Sequence, residues 1–219
     1  MPLKRLLHAG CGHCTNRPPA DFDTYKEVRL DCDPMVEPDI VASIVAMPQV
    51  ADSTFDAVLC SHVLEHVFGH EVPMALREFL RVLKPGGKLW WNSPDLQAIG
   101  GKLALDQADH ALYLSGMGPV APLDMIYGHR ASVARGDTFM QHKTGFTASI
   151  VKHLLVACGF EQIEVDRRVL YELKATAQKG EDHADQEPST EGELDGRIQH
   201  DTVADDIPNR FGARGILPQ

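Results

Sequence analysis

Residues 55–94 read FDAVLCSHVLEHVFGHEVPMALREFLRVLKPGGKLWWNSP, and this stretch decides the fold of the chain. The short apolar run at 58–60 is typical of a strand that is covered on both faces. A core-facing helix follows, because apolar residues recur at the i, i+3, i+4, i+7 spacing at Leu76, Phe79, Leu80 and Leu83. Pro85-Gly86-Gly87 predicts the end of that helix and a turn, after which 88–93 is extended again. A strand, a helix and a second strand in this order predict a parallel sheet.

The front of the chain carries a pattern that indicates ligand binding. Leu3, Leu6 and Leu7 predict a first strand, which ends in the loop Gly10-Cys11-Gly12. Glycines at this place let the backbone pass close to a ligand, where a side chain would clash. A second strand at 28–30 ends in Asp31, whose carboxylate suits the two hydroxyls of a ribose. The alternative role for Asp31 is to cap a helix at the strand exit.

The segments FDAV…VLEHV…LREFLRVLKPGGKL resemble the centre of class I S-adenosylmethionine (SAM)-dependent methyltransferases, most closely the small bacterial group of predicted methyltransferases. The likeness runs over roughly residues 3–178. It implies a Rossmann-like α/β fold with a seven-stranded, mostly parallel sheet and an antiparallel edge strand. It also implies SAM as cofactor, with Asp31 at the ribose and Gly10 to Gly12 beside the methionine part. The cofactor-binding residues so predicted are His8, Gly10, Cys11, Gly12, Asp31, Ser43, Ser61 and His62.

The sequence departs from the family pattern at several places. His8 stands where members commonly have an acid, two residues before the first glycine, and Cys14 stands where a third glycine is common. Ser43 occupies the place of an acid that bonds the adenine amino group, although a hydroxyl also forms hydrogen bonds. The short connection to the second strand contains Pro18 and Pro19, which predict a truncated first helix.

Other interpretations of the glycine loop are weaker. A dinucleotide-binding fingerprint needs a third glycine where this chain has Thr15. Cys11 and Cys14 form a C-x-x-C pair, but the helix that a redox dithiol needs behind it is not predicted. A zinc site would need a second pair of ligands, whereas Cys32 and Cys60 are single and distant. We therefore predict no metal site, and we leave open whether Cys11 and Cys14 form a disulfide.

Residues 95–146 form a long insertion, which the resemblance implies to be the cover of the substrate. The side chains in it that suit substrate contact are His110, Tyr113, Tyr127, His129, Arg130 and His142. Methyl transfer needs a general base only if the acceptor must lose a proton, and histidine suits that task because its pKa lies near neutrality. His142 and His66 are the predicted catalytic residues. A structural role is the alternative for His66, because its Leu-Glu-His triplet is shared by family members with different substrates.

The last third of the chain predicts a helix at 147–158, a strand at 160–169 and a final strand at 171–177, antiparallel at the sheet edge. The methyltransferase domain is therefore expected to span 1–179. The remainder, 180–219, contains 10 acidic and 3 basic residues and predicts a flexible tail.

Composition narrows the setting. A chain of 219 residues fits one domain, and the net charge of −10 disfavours a nucleic-acid partner. The sequence contains no run of 18 apolar residues, so no membrane span is predicted, and no secretory leader is evident. Five cysteines, an odd number, favour reduced thiols and a cytoplasmic location. A homodimer is left open.

The function predicted is transfer of the SAM methyl group to a small-molecule or saccharide acceptor, on oxygen or nitrogen. Two alternatives remain from the residues alone. One is a catalytically silent SAM-fold binding or regulatory module, because His8 and Ser43 replace acids. The other is a protein methyltransferase. The sequence names neither the acceptor nor the atom that is methylated.

Overall fold

The structure is a computed structural model that describes residues 3–13, 15–167 and 171–181. Cys14 and all but the first two residues of the expected tail at 180–219 lie outside the described residues. The predicted flexibility of the tail beyond Glu181, and the open question of a disulfide between Cys11 and Cys14, therefore lie outside the described residues.

A seven-stranded sheet forms the centre of the fold, in the order β3-β2-β1-β4-β5-β9-β8. The first five strands in space are mutually parallel, as the resemblance implied. Parallel strands covered on both faces need continuous apolar stretches, and β1 and β4 have them. The strands are β1 Lys4–Ala9, β2 Tyr25–Asp31, β3 Ile40–Val41, β4 Phe55–Ser61, β5 Leu83–Pro94, β8 Phe160–Arg167 and β9 Glu172–Lys179.

The prediction that the last strand lies at the sheet edge is wrong. β9 is antiparallel, but it lies between β5 and β8 and pairs with both. Its alternation of buried and half-buried residues along 172–179 arises because one face packs on the core while both edges are paired. The edge position belongs to β8, whose exposed residues alternate with partly buried ones.

The predicted helix after β4 is α1, Val72–Val82, which buries the apolar stripe that the spacing indicated. The expected turn at Pro85-Gly86-Gly87 is wrong in one respect, since β5 already begins at Leu83. Leu83 pairs with Phe55 and Lys88 with Ala57, so 84–87 bulge out of the strand. The proline and glycines are accommodated in that irregularity rather than in a separate turn.

The first helix of the fold is truncated, as predicted. Between β1 and β2 the described residues contain a single 3₁₀ turn, Ala20–Phe22. Phe22 is buried and lies edge-on to Trp90, with ring centroids 4.9 Å apart. The Phe22 side chain therefore covers Leu6, Ala57 and Leu59 on the sheet face where a full helix would otherwise pack.

The insertion folds into short elements that return to the sheet. It contains α2 Leu96–Ala104, the hairpin of β6 Tyr113–Ser115 and β7 Gly118–Val120, α3 Pro122–Tyr127 and α4 Arg130–Ala134. Its two ends meet, because Asp95 and Phe146 form a β-bridge and the Leu96 N–H donates to the Phe146 carbonyl. Phe146 is buried edge-on against Trp91, with ring centroids 4.8 Å apart.

The remaining helix, α5 Ala148–Ala157, begins directly after the insertion. The Thr147 hydroxyl accepts a hydrogen bond from the Ile150 N–H and so caps its first turn. Val151 and Leu155 join the residues of α1 in the main core. Among the described residues, no helix is long and apolar enough to cross a membrane.

Candidate active site

A cavity of about 1050 Å³ lies at the carboxyl ends of the parallel strands. This is the place where open parallel sheets bind ligands. One wall consists of residues that follow β1, β2, β3 and β4, and the other consists of residues from the insertion. Of the predicted site residues, the cavity is lined by Gly10, Gly12, Asp31, Ser43, Ser61, His62, His66 and His142.

The glycine loop fits the role that the sequence indicated for it. Gly10 and Gly12 have φ values of +62° and +57°, in the left-handed region that favours glycine. A Cβ atom on Gly10 would collide with the Val63 side chain, and one on Gly12 would lie 2.7 Å from Asn16 Nδ2. Both glycines are therefore required by the backbone itself, and the loop keeps its surface open toward the cavity.

Two residues of β2 hold this loop in place. The Gly12 N–H donates to Asp31 Oδ2 over 2.8 Å, and Asp31 Oδ1 accepts from the Asp33 N–H over 3.0 Å. Arg29 donates to the Gly12 carbonyl over 2.6 Å and to the Glu37 carbonyl over 3.0 Å. Asp31 thus has one hydrogen bond on each oxygen and lone pairs left for a ligand.

His8 and Cys11 do not line the cavity. His8 is buried, and its Nδ1 lies 2.7 Å from Glu27 Oε1 on the neighbouring strand. Cys11 is also buried, and burial raises the pKa of its thiol to about 11. Their predicted contact with the cofactor therefore has no support from the cavity lining and stays a prediction. A thiol with a raised pKa also argues against the redox interpretation of the C-x-x-C pair.

Ser43 follows β3 and borders the cavity beside Ala42, Ile44 and Val45. Its Oγ accepts a hydrogen bond from the Val45 N–H over 3.3 Å, which forms a local turn. The hydroxyl hydrogen is left for another acceptor, because in that bond the oxygen only accepts.

His62 sits between two carboxylates and has a positive φ of +56°. Its Nδ1 lies 3.2 Å from Glu65 Oε1, and its Nε2 lies 3.0 Å from Glu172 Oε1. Burial disfavours the imidazolium, but the two carboxylates outweigh it and raise the pKa of His62 to about 10. His62 is therefore positively charged at neutral pH and is unsuited to act as a general base.

His66 and His142 lie against each other, with ring centroids 4.8 Å apart in an edge-on arrangement. The His66 Nδ1 lies 3.1 Å from the Gln141 carbonyl oxygen, and the His142 Nδ1 lies 2.9 Å from the Met125 carbonyl oxygen. Burial lowers the pKa of His142, so this imidazole is neutral at neutral pH. The two predicted catalytic residues are thus brought together at the cavity.

The end of the insertion is fastened to the 3₁₀ turn Leu64–His66. The N–H groups of Lys143 and Thr144 both donate to the Glu65 carbonyl, over 2.8 and 3.2 Å. These bonds place His142 next to the Glu65 carboxylate, which is buried. Glu65, His66 and His142 offer ligating atoms within 4.8 Å of one another, a grouping that the sequence did not predict.

Sequence reasoning missed Glu65 and Arg29. Both lie in patterns that were used for another purpose: Glu65 in the Leu-Glu-His triplet, and Arg29 one residue inside the second strand. The available signal for Arg29 was a charged residue between the apolar Val28 and Leu30. No local sequence pattern pairs Glu65 with His142, because the two residues are 77 positions apart in the chain.

The insertion supplies a mixed polar and apolar wall. Its hairpin contributes Tyr113 and Ser115, and Met125 and His129 follow along the chain. His129 Nδ1 is within 2.8 Å of Ser132 Oγ, which orients the ring at the start of α4. The other predicted contact residues, His110, Tyr127 and Arg130, are not among those that line the cavity. Tyr127 is 60% exposed, and Arg130 is paired with Asp109 and Asp124.

Comparison with known proteins agrees with this architecture. Residues 7–91 match the family model described as "Methyltransferase domain". No curated protein sequence gave a match. A SAM-dependent methyltransferase from Methanosarcina mazei has a TM-score of 0.53 at 18% identity, over 82% of this chain and 94% of that chain. One from Archaeoglobus fulgidus has a TM-score of 0.54 at 16% identity, over 81% and 86%.

A third similar structure contains ligands. The 1,6-didemethyltoxoflavin-N1-methyltransferase of Burkholderia thailandensis, solved with 1,6-didemethyltoxoflavin and S-adenosylhomocysteine, has a TM-score of 0.50 at 15% identity, over 81% of this chain and 72% of that chain. At these identities the structural likenesses show the fold. The family match over residues 7–91 and the shared fold both agree with the predicted class I SAM-dependent methyltransferase.

Proposed function

We propose that the chain transfers the methyl group of SAM to a small-molecule acceptor bound under the insertion. The observation that carries the proposal is the shared cavity, with the glycine loop and Asp31 on one wall and insertion residues on the other. Its volume of about 1050 Å³ is at the upper end of the usual range for ligand pockets, roughly 300–1,000 Å³. The cavity therefore has room for the cofactor and a second small molecule.

The adenosine part of SAM is assigned to the wall made by β2 and β3. Asp31 has lone pairs available for the ribose hydroxyls, and Ser43 has a hydroxyl hydrogen available for an adenine nitrogen. The apolar side chains of Ile44 and Val45 beside Ser43 would cover an adenine face. This assignment leaves Asp31 to orient both the loop and the cofactor.

The methionine part is assigned to the space beside Gly10, Gly12, Ser61 and His62. The left-handed backbone at the two glycines leaves the cofactor free to approach the main chain. Both nitrogens of His62 already face carboxylates, so this residue would act through its positive charge on the methionine carboxylate.

Methyl transfer mainly requires that the acceptor atom, the methyl carbon and the sulfur lie in a line. A lone pair of the acceptor attacks the methyl carbon, the carbon–sulfur electron pair stays on sulfur, and S-adenosylhomocysteine leaves. An acceptor hydroxyl or ammonium must also lose a proton. Of the two predicted catalytic histidines, we assign this role to His142, because burial leaves it neutral and the Met125 carbonyl orients its ring.

A small acceptor, on oxygen or nitrogen, is favoured over a macromolecule. Residues 137–143 of the insertion line the cavity and would stand between it and a large substrate. The net charge of −10 disfavours nucleic acid, and a protein acceptor remains the weaker alternative. Among the described residues, Cys32, Cys60 and Cys158 are free thiols, which supports the inferred cytoplasmic location.

Titration calorimetry with SAM and S-adenosylhomocysteine tests the proposal. We expect the full chain to bind both, and Asp31→Asn to weaken binding by about 10- to 100-fold, since hydrogen bonds to a charged group contribute about 1.5–3 kcal/mol. Asp33→Asn is the matched control, because Asp33 also lines the cavity but caps the turn at Met35.

Two results would contradict this account. An equal loss of affinity in the Asp31 and Asp33 variants would contradict the ribose role of Asp31. Failure of the wild-type chain to bind either compound would contradict the proposed methyltransferase activity. Tight binding with no methyl transfer to any member of a broad panel of small acceptors would favour the silent module instead.

A further inference from the structure

Three side chains converge in a way that methyl transfer alone does not require, and two of them, His66 and His142, line the cavity. Glu65, His66 and His142 each offer a ligating atom within 4.8 Å of the other two. Glu65 and His66 come from the 3₁₀ turn after β4, whereas His142 comes from the end of the insertion. Backbone hydrogen bonds from Lys143 and Thr144 to the Glu65 carbonyl fix this approach.

The hydrogen bonds of the two histidines decide which nitrogen is free. A carbonyl oxygen only accepts, so the Nδ1 that faces it must carry the hydrogen. His66 Nδ1 faces the Gln141 carbonyl at 3.1 Å, and His142 Nδ1 faces the Met125 carbonyl at 2.9 Å. In the neutral form of each ring, Nε2 is therefore unprotonated. An N–H donated to a backbone carbonyl is also how metal-binding histidines are commonly oriented.

The Glu65 carboxylate is the second, independent observation. Its side chain is 1% exposed, and only Oε1 has a hydrogen-bond partner, namely His62. Oε2 is buried without a hydrogen-bond partner among the described residues. A buried carboxylate oxygen left without a partner is costly, because it has lost its water without replacement. A cation at this place would remove that cost.

We propose that Glu65, His66 and His142 bind a divalent transition-metal ion of the zinc class, with open coordination positions toward the cavity. Two neutral imidazoles and one carboxylate suit zinc, iron, cobalt or nickel, whereas magnesium and calcium prefer oxygen ligands throughout. Ligand atoms around zinc, each about 2.0–2.2 Å from the ion, lie roughly 3.3 Å apart, so the three side chains would close in slightly on binding. The sequence had predicted no metal site.

The ion would also change how the acceptor is deprotonated. This consequence rests on the proposed function. An acceptor hydroxyl at an open position would bind the ion through oxygen and release its proton to solvent more readily. The oxygen lone pair would then form the bond to the methyl carbon as the carbon–sulfur bond breaks toward sulfur. His66 and His142 would hold the ion instead of taking the proton, and hydroxyl-bearing acceptors would be favoured.

The test measures metal binding without cofactor or acceptor. The full chain is stripped with a chelator and titrated with Zn²⁺ by calorimetry, and the visible absorption of added Co²⁺ reports on its ligands. We expect one site in the wild-type chain that is lost, or weakened more than about 100-fold, in both Glu65→Gln and His142→Ala. His129→Ala should keep that site, because His129 also lines the cavity but lies outside the group of three.

Other thiols and histidines can bind zinc weakly, but they are the same in all variants. The test therefore compares the zinc affinity of the variants with that of the wild-type chain. Zinc binding that is the same in wild type and in Glu65→Gln overturns the proposal, as does the absence of zinc binding by the wild-type chain. S-adenosylhomocysteine binding and circular dichroism verify that each variant is folded, and His66→Asn replaces His142→Ala if the latter is not. If the wild-type chain binds S-adenosylhomocysteine but not zinc, the metal site is refuted and the proposed function is not. If it binds zinc but not S-adenosylhomocysteine, the proposed function is refuted and the metal site is not.

Discussion

The two walls of the cavity are built on different principles. The strand-end wall, which follows β1 to β4, is made by backbone geometry: glycines with left-handed φ values, an aspartate at a strand end and an arginine that ties two loops together. The insertion wall, contributed by 95–146, is made by side chains on short helices and one hairpin. The first wall suits a constant ligand, and the second suits a ligand that differs between related proteins.

The walls meet around Glu65. The carbonyl of this residue accepts from Lys143 and Thr144, and its carboxylate faces His62. Burial raises the pKa of Glu65, but the hydrogen bond and charge of His62 outweigh it, and the net shift is downward. The insertion is thus attached through the backbone carbonyl of a residue whose carboxylate is paired with His62.

The largest expected effect is on stability, and it distinguishes the two phenylalanines of the insertion, Phe146 and Phe139. Phe146 is buried against Trp91, so Phe146→Ala should lower the free energy of unfolding by about 3–5 kcal/mol. Phe139 lines the cavity but is 58% exposed, so Phe139→Ala should change stability by less than about 0.5 kcal/mol. Urea denaturation measures both. Similar losses would show that the base of the insertion is not part of the core.

A smaller effect is expected in the strand-end wall. Gly10→Ala should cost about 2–3 kcal/mol of stability, since alanine is disfavoured at φ +62° and its Cβ would collide with Val63. It should also abolish S-adenosylhomocysteine binding. Gly116→Ala is the matched control in the insertion, because an added Cβ there has nothing within 4 Å. Thermal unfolding and calorimetry with this pair compare the walls directly, and equal behaviour would contradict the difference we describe.

The smallest effect is a change of rate. Cys32 is exposed and lines the cavity, whereas Cys11 and Cys60 are buried. Of these described cysteines, Cys32 should be alkylated first, as mapped by mass spectrometry, and S-adenosylhomocysteine should slow that reaction. Burial and the neighbouring Asp31 raise the pKa of the Cys32 thiol, so less thiolate is present at neutral pH. The rate should therefore still be rising above the ordinary thiol pKa of 9.0, and a plateau below pH 9 would be inconsistent with this environment.

Much of the strand-end wall could be predicted from the sequence, because local rules produce it. The apolar run at 58–60 is the centre of β4, the stripe from Leu76 is α1, and Asp31 ends β2. Prolines in the connection after the glycine loop correctly indicated that the first helix is truncated. These features depend on neighbours within a few positions, and single-sequence patterns record such neighbours.

What failed depends on residues that are distant in sequence. The place of β9 inside the sheet follows from pairing with β5 and β8, which alternation along 172–179 cannot encode. The contact of His8 with Glu27 on the adjacent strand was likewise not predicted. The grouping of Glu65 with His142 exists only because the insertion folds back onto the 3₁₀ turn. Contacts between residues that are distant in sequence cannot be predicted from the spacing of neighbouring residues.

Hydrogen exchange of the full chain with and without S-adenosylhomocysteine tests the division of the cavity most directly. We expect added protection in peptides that contain Gly10–Gly12, Asp31, Ser43 and Ser61, because the cofactor would order the strand-end wall. The hairpin 113–120 should exchange at an unchanged rate until an acceptor is added. Protection confined to the hairpin, or no protection in the peptides of the strand-end wall, would contradict the account.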